Sequence, residues 1–140
     1  MRQLGENFRV SPFVVTDAEL VKFTSQLGYG AVGTVGEGYV EVPVITWSKF
    51  IKRYDIRKID LLKMNIEGAE RPLLKHIDDF SIIKRLIVSC HDFRADHGHG
   101  EYYRTKEFVI EYLSTLGYEV QKFDFGINWA DSFVYAERRS

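Results

Sequence analysis

Ile59-Asp60-Leu61-Leu62-Lys63-Met64-Asn65-Ile66-Glu67-Gly68-Ala69-Glu70 is the stretch on which the reading of this chain turns. Its apolar residues fall at consecutive positions, so a strand built from them is apolar on both faces. Such runs suit a central parallel strand covered by helices on each side. Gly68 offers a turn. Arg71-Pro72-Leu73-Leu74-Lys75-His76-Ile77 then begins a helix, with Pro72 tolerable only in its first turn. Strand alternation puts Lys63, Asn65 and Glu67 on one side of the chain, with Asn65 and Glu67 at the carboxyl end. An acid directly after a buried strand is costly unless it is paired or faces a site, which makes Glu67 a candidate functional residue. Lys63 needs a partner in the same strand, whether structural or part of a site. Glu70 reads as a helix-start acid, favoured there by the helix dipole.

The pattern continues on both sides. Trp47, Phe50, Ile51 and Tyr54 recur at helical spacing, and Thr46 precedes them as an N-cap. Ser81 to Cys90 reads as a second buried strand. Tyr103 to Leu116 reads as a helix with Phe108, Val109, Tyr112, Leu113 and Leu116 on one face, ended by Gly117. Tyr118 to Phe123 and Ser132 to Glu137 close the chain as an antiparallel strand pair. From Thr46 the order is helix, strand, helix, strand, helix, strand, strand. That order predicts an α/β fold with a mostly parallel sheet and helices on both faces. Ligands of such sheets gather at the carboxyl ends of the strands, here Asn65 to Gly68 and His91 to Phe93.

Before Thr46 the signals are weaker. Phe8 to Thr16 reads as a strand interrupted by Pro12, hence an edge, a bulge or a strand start. Glu19 to Phe23 and Tyr39 to Ile45 read as two strands joined by a long glycine-bearing loop. Gly28-x-Gly30-x-x-Gly33 matches a bare dinucleotide fingerprint, but five glycines in the eleven residues from Gly28 to Gly38 promise no helix after it. A hairpin loop is the better reading.

The 140 residues suffice for one domain, and 45% apolar with 28% charged residues is an ordinary globular composition. A net charge of −1 gives no electrostatic reason to expect nucleic acid as a partner. No stretch approaches the roughly 20 apolar residues that span a bilayer, and the N-terminus lacks the apolar core of a secretory signal. A cytoplasmic setting is expected. The single cysteine, Cys90, reads as a buried reduced thiol rather than a nucleophile, because strand neighbours point to opposite faces and keep it from His91. His91 itself ends a buried strand at the ligand edge and is a site candidate. The loop from His91 to Glu101 holds Asp96, His97, His99 and Glu101, so metal-dependent hydrolysis is an alternative reading, though the spacing matches no specific ligand motif.

The Ile59 to Glu70 block closely resembles the signature of FkbM-type methyltransferases, a strand of the form I-D-L-L-K-I-D-V-E-G-A-E followed by a leucine-bearing helix. Val40 to Tyr54, Ile87 to Phe93 and Gly117 to Val120 resemble the flanking segments in the right order. The resemblance implies a Rossmann-like class I methyltransferase sheet, strand order 3-2-1-4-5-7-6. It implies S-adenosylmethionine as cofactor and methyl transfer to an oxygen of a small-molecule or sugar acceptor. Segment 9–45 resembles strand three plus a hairpin, and 46–140 the C-terminal βα half, so the domain is read as incomplete. No glycine-rich turn like the family's cofactor cradle occurs, so weak or no cofactor binding by this chain alone is expected. Strand four would then present an unpaired edge, which invites self-association or pairing with another chain. Asn65 stands where the family usually has aspartate, and a neutral amide cannot take up a proton as a carboxylate does. Glu67, His91, Asn65 and Lys63 are the candidate catalytic residues. A non-catalytic interaction module that keeps the half-fold is the remaining alternative.

Overall fold

The computed structural model describes residues 14–15, 21–23, 32–33 and 40–139, with side chains from residue 43 onward. Pro12 and most of the glycine-rich stretch lie outside the described residues. The first described strands are β1 (Val14–Val15), β2 (Val21–Phe23), β3 (Val32–Gly33), β4 (Val40–Val42) and β5 (Val44–Ile45). β2 pairs antiparallel with β4, as a hairpin requires, and also with β3. Gly33 therefore lies in a strand, not at the start of a nucleotide-binding helix. β1 runs parallel to β5.

Helix α1 (Trp47–Arg53) begins where the sequence places it: the Thr46 hydroxyl oxygen accepts from the Lys49 N–H at 3.4 Å. The remaining elements are β6 (Leu62–Met64), α2 (Glu70–His76), β7 (Arg85–Ser89), α3 (Asp92–Asp96), a 3-10 turn (Glu101–Tyr103), α4 (Lys106–Thr115), β8 (Tyr118–Lys122), α5 (Asn128–Asp131) and β9 (Phe133–Arg138). Gly117 follows α4 with φ +83°, a left-handed conformation that glycine adopts without a Cβ penalty.

Four strands form one sheet in the order β6-β7-β9-β8, the order implied for the last four strands of a methyltransferase sheet. The expectation of a mostly parallel sheet needs correction. β6 and β7 pair in parallel, but β9 is antiparallel to both its neighbours, β7 and β8. The connection from β8 to β9, residues 123–132 with the single turn of α5, is shorter than the dozen or more residues a parallel crossover needs.

Helical cover differs between the two faces. Cross-strand register aligns Leu62, Leu86, Ala136 and Val120 in one row, and Lys63, Ile87, Tyr135 and Gln121 in the row on the other side. The first row belongs to the core, where Met64, Leu86, Val88, Val134 and Ala136 pack with Trp47 of α1, Leu74 of α2, and Val109 and Leu113 of α4. On the second row Lys63 and Gln121 are exposed, and Ile87 and Tyr135 are half-buried. Helices α1, α2 and α4 thus bury their apolar sides on one face, while α5 lies beside the other. β6 looked apolar on both sides because Leu61 extends its run, yet Leu61 is 51% exposed. Among the described residues, no helix is long and apolar enough to cross a membrane.

The buried face is anchored at its far end by Tyr118, whose hydroxyl donates to the Ile83 carbonyl at 2.7 Å with the Phe80 carbonyl at 3.1 Å. Leu113 is completely buried in the cluster between α4 and the sheet. Leu113→Ala is expected to lower unfolding stability by about 3 kcal/mol, from lost burial plus a residual cavity, as read by urea denaturation. A change below about 1 kcal/mol would show that α4 does not pack as described.

Candidate functional site

The carboxyl ends of β6 and β7 lie side by side because Met64 is in register with Val88. Two residues beyond Met64, the chain turns. The Ala69 N–H donates to the Ile66 carbonyl at 3.1 Å, and both central residues are left-handed, Glu67 at φ +54° and Gly68 at φ +98°. A turn with two positive φ values favours glycine at its second central position. Gly68 meets a second demand as well, because a Cβ there would stand 2.4 Å from the Tyr102 ring. Glu67 has no such freedom. A non-glycine residue held left-handed costs on the order of 1 kcal/mol and is worth a functional explanation.

That turn delivers Glu67 to the end of β7. Glu67 Oε1 lies 3.1 Å from His91 Nε2. Glu67 Oε2 lies 2.9 Å from Arg94 Nη2, though not at a hydrogen-bonding angle. Glu70, the first residue of α2, is wholly buried, and its Oε2 accepts from the Thr105 hydroxyl at 3.2 Å. Its Oε1 is 3.5 Å from His91 Nδ1, and neither of these two atoms has a hydrogen-bond partner. The His91 ring is therefore held between two carboxylates, one per ring nitrogen. Behind it, the Asp92 carboxylate accepts from the Thr105 and Lys106 backbone N–H groups, each at 3.0 Å. Those groups open α4, so Asp92 caps that helix from a distance. This explains why α4 starts at Lys106 rather than at Tyr103, which belongs to the preceding 3-10 turn.

Of the residues expected from sequence, Glu67 and His91 meet. Lys63 and Asn65 are exposed, and no ion pair or hydrogen bond ties either to the cluster. Glu70, Asp92, Arg94 and Thr105 were missed as site residues. Glu70 carried a signal, an acid beside a glycine turn in front of a leucine-rich helix, but a helix-start role accounted for it. Thr105 carried none, because its partner is 35 positions away.

The loop read as a metal site is organised otherwise. Arg104 Nη1 pairs with Asp96 at 2.9 Å, and its Nε donates to Glu101 at 2.8 Å. The Glu101 hydrogen bond, then that to Asp96, pushes the Arg104 pKa above its ordinary value, while Arg104 holds the Glu101 carboxyl below its own. His97 Nδ1 donates to the Phe93 carbonyl at 2.5 Å. Among the described residues no group of three or more histidine, cysteine or acidic side chains converges as metal ligands. The hydrolase alternative thus has no support.

The model of the methyltransferase FkbM domain matches residues 7–120. The chain belongs to the FkbM methyltransferase family. Searches of curated proteins and of solved structures give no match. Family membership supports a methyltransferase assignment and leaves the substrate open. Among the described residues of this FkbM-family chain, no glycine-rich turn leads from a strand into a helix. The turns after β6 and β7, Ile66 to Ala69 and Cys90 to His91, carry one glycine between them. Neither of these two turns is therefore a glycine-rich cradle.

Cys90 borders the cluster and is fully buried. Burial, the largest cause, pushes its thiol up to about 12, with the nearby Glu70 carboxylate adding to the rise and a Thr105 hydrogen bond opposing it. A raised folded pKa favours the neutral thiol, so this contribution to stability is present below the unfolded thiol's pKa and is lost as pH rises through about 12. Since only the thiolate reacts, native protein at pH 8 is expected to be at least about 100-fold slower with Ellman's reagent than urea-unfolded protein. Equal rates would contradict a buried neutral thiol.

Proposed function

We propose that this chain supplies the acceptor side of an S-adenosylmethionine-dependent O-methyltransferase, with a hydroxylated small molecule or sugar as acceptor. The observation that carries the reading is the Glu67 carboxylate. It stands at the carboxyl end of β6, 3.1 Å from His91 and 2.9 Å from Arg94. Its side chain is 18% exposed, against 6% for His91. Glu67 is thus the group an acceptor meets, and His91 the group that orients it. Methyl transfer to a hydroxyl oxygen releases one proton, and a carboxylate within hydrogen-bond reach of that hydroxyl can accept it. Arg94 supplies a donor to fix the acceptor beside Glu67.

We further propose that β6 pairs through its open edge with a second chain or another copy, which completes the cofactor side. Among the described residues β6 is an end strand of its sheet. Leu61 is exposed beside it, and unpaired strand edges recruit partners.

Calorimetric titration of the isolated chain with S-adenosylmethionine is expected to show no tight stoichiometric complex, and light scattering to show species larger than a monomer. A tight complex on a monodisperse monomer would sink the pairing. The protein isolated with whatever it binds is then assayed with methyl-labelled cofactor and a hydroxylated acceptor panel. Label should appear on oxygen, and Glu67→Gln should reduce transfer by about 100-fold or more, as for loss of an acid–base group. Label on nitrogen or carbon, or undiminished transfer by the variant, would contradict the acceptor role of Glu67.

A further inference from the structure

The face of the sheet turned away from the helical core carries a groove of about 310 Å³, which the site described above does not use. Ile87 and Tyr135, paired across β7 and β9, come from the sheet with Phe133 of β9, and Phe123, Phe125, Trp129 and Ala130 complete the lining. Phe123 and Phe125 stack with centroids 5.7 Å apart. Phe125 is 66% exposed and Trp129 65%. Aromatic side chains held this far out in water carry a hydration cost that a ligand would relieve.

They are held, not loose. The Asp131 carboxylate accepts from the Phe125 N–H at 2.5 Å and from the Ile127 N–H at 2.9 Å. The Ser132 hydroxyl donates to the Trp129 carbonyl at 2.6 Å, and the Lys106 ammonium donates to the Asp131 carbonyl. The loop that bears the aromatics is therefore tied at both ends of α5 and to the start of α4, so little ordering remains to be done on binding.

Strand β7, which lends Ile87 to the groove, ends at Ser89, two residues before His91. Phe133 stands opposite Ser89, and the Cys90 N–H donates to the Ser132 carbonyl at 3.0 Å. His91 is two residues past Ser89, at most about 7 Å along the chain. The lining also selects. The Tyr135 hydroxyl already donates to Glu137 at 2.8 Å, which leaves the Trp129 indole N–H as the polar side-chain group of the lining with no partner. A sugar ring seated there would bury several hydroxyls without partners, at a cost an apolar ring does not incur.

We propose that this groove seats an apolar ring of the acceptor, aryl or alicyclic, with the hydroxyl to be methylated directed to the strand edge. The role as acceptor subsite rests on the methyl-transfer reading above; the choice of an apolar ring over a sugar does not. It narrows the substrate class from hydroxylated small molecules and sugars to molecules that bear an apolar ring.

The test uses the full chain with 2-naphthol and methyl α-glucopyranoside as probes, followed by the indole N–H resonances of 15N-labelled tryptophan. Saturable binding of 2-naphthol is expected, with a shift of the Trp129 indole and none of Trp47, which is 4% exposed. The glucoside is expected to leave both unchanged. Trp129→Ala and Phe125→Ala should each weaken 2-naphthol binding about tenfold, the scale of a lost aromatic contact, with an unchanged Tm because both side chains are exposed. Absence of saturation, preference for the glucoside, or unaltered affinity in both variants would overturn the proposal. So would a dimer in analytical ultracentrifugation that either variant dissolves, because the groove would then be filled by a second copy. A negative methylation assay alongside retained naphthol binding would remove the O-methyl-transfer reading and leave the ring preference standing.

Discussion

Glu70 is wholly buried, and its carboxylate can stay there only where donors reach it. The Thr105 hydroxyl, from the residue just before α4, donates to it at 3.2 Å, and the His91 ring, past the end of β7, stands 3.5 Å away. Both arrive only if β6 and β7 pair in parallel with Met64 beside Val88. A slip of one residue along that pair would turn every side chain of β6 over and take Glu67 and Glu70 away from His91. The parallel pairing and the buried carboxylate therefore specify each other. Asp92 extends the same linkage, since the acid after His91 holds the first N–H groups of α4.

This arrangement gives one strand end two different acids. Glu70 is inward, uncompromisingly buried, and structural. Glu67 lies outward on a left-handed residue and retains access to solvent. His91 lies between them, so the orientation of the outer acid depends on the burial of the inner one. Arg94, one helical turn along α3, contributes a positive charge on the side of Glu67 away from His91. A pair of acids separated by a glycine turn thus supports both the fold and an acceptor-facing carboxylate.

Much of this was legible in the sequence, and the physical reasons are specific. Strand β6, the Gly68 turn, the Thr46 cap and the α4 face with Val109 and Leu113 all rest on local periodicity or local capping. Each was readable, and α4 was misplaced only at its start, where a distant side chain, Asp92, sets the boundary. The FkbM resemblance was legible from the Ile59 to Glu70 block and is matched by the family model over residues 7–120. Illegible were the features that depend on partners far along the chain. Thr105 had no local mark of its link to Glu70. Leu61 suggested a strand apolar on both faces, while its actual exposure depends on what packs against that face. The antiparallel β8–β9 pair, by contrast, was legible, and its place in the order β6-β7-β9-β8 followed from the family resemblance rather than from adjacent residues.

The central claim is that the Glu70 carboxylate joins the end of β6 to the start of α4. A double-mutant cycle on unfolding stability with Glu70→Gln, Thr105→Val and the pair tests it directly. The account predicts a coupling energy of about 1–3 kcal/mol between the two sites, as for a buried hydrogen bond to a charged group. Additive effects, with a coupling near zero, would contradict it.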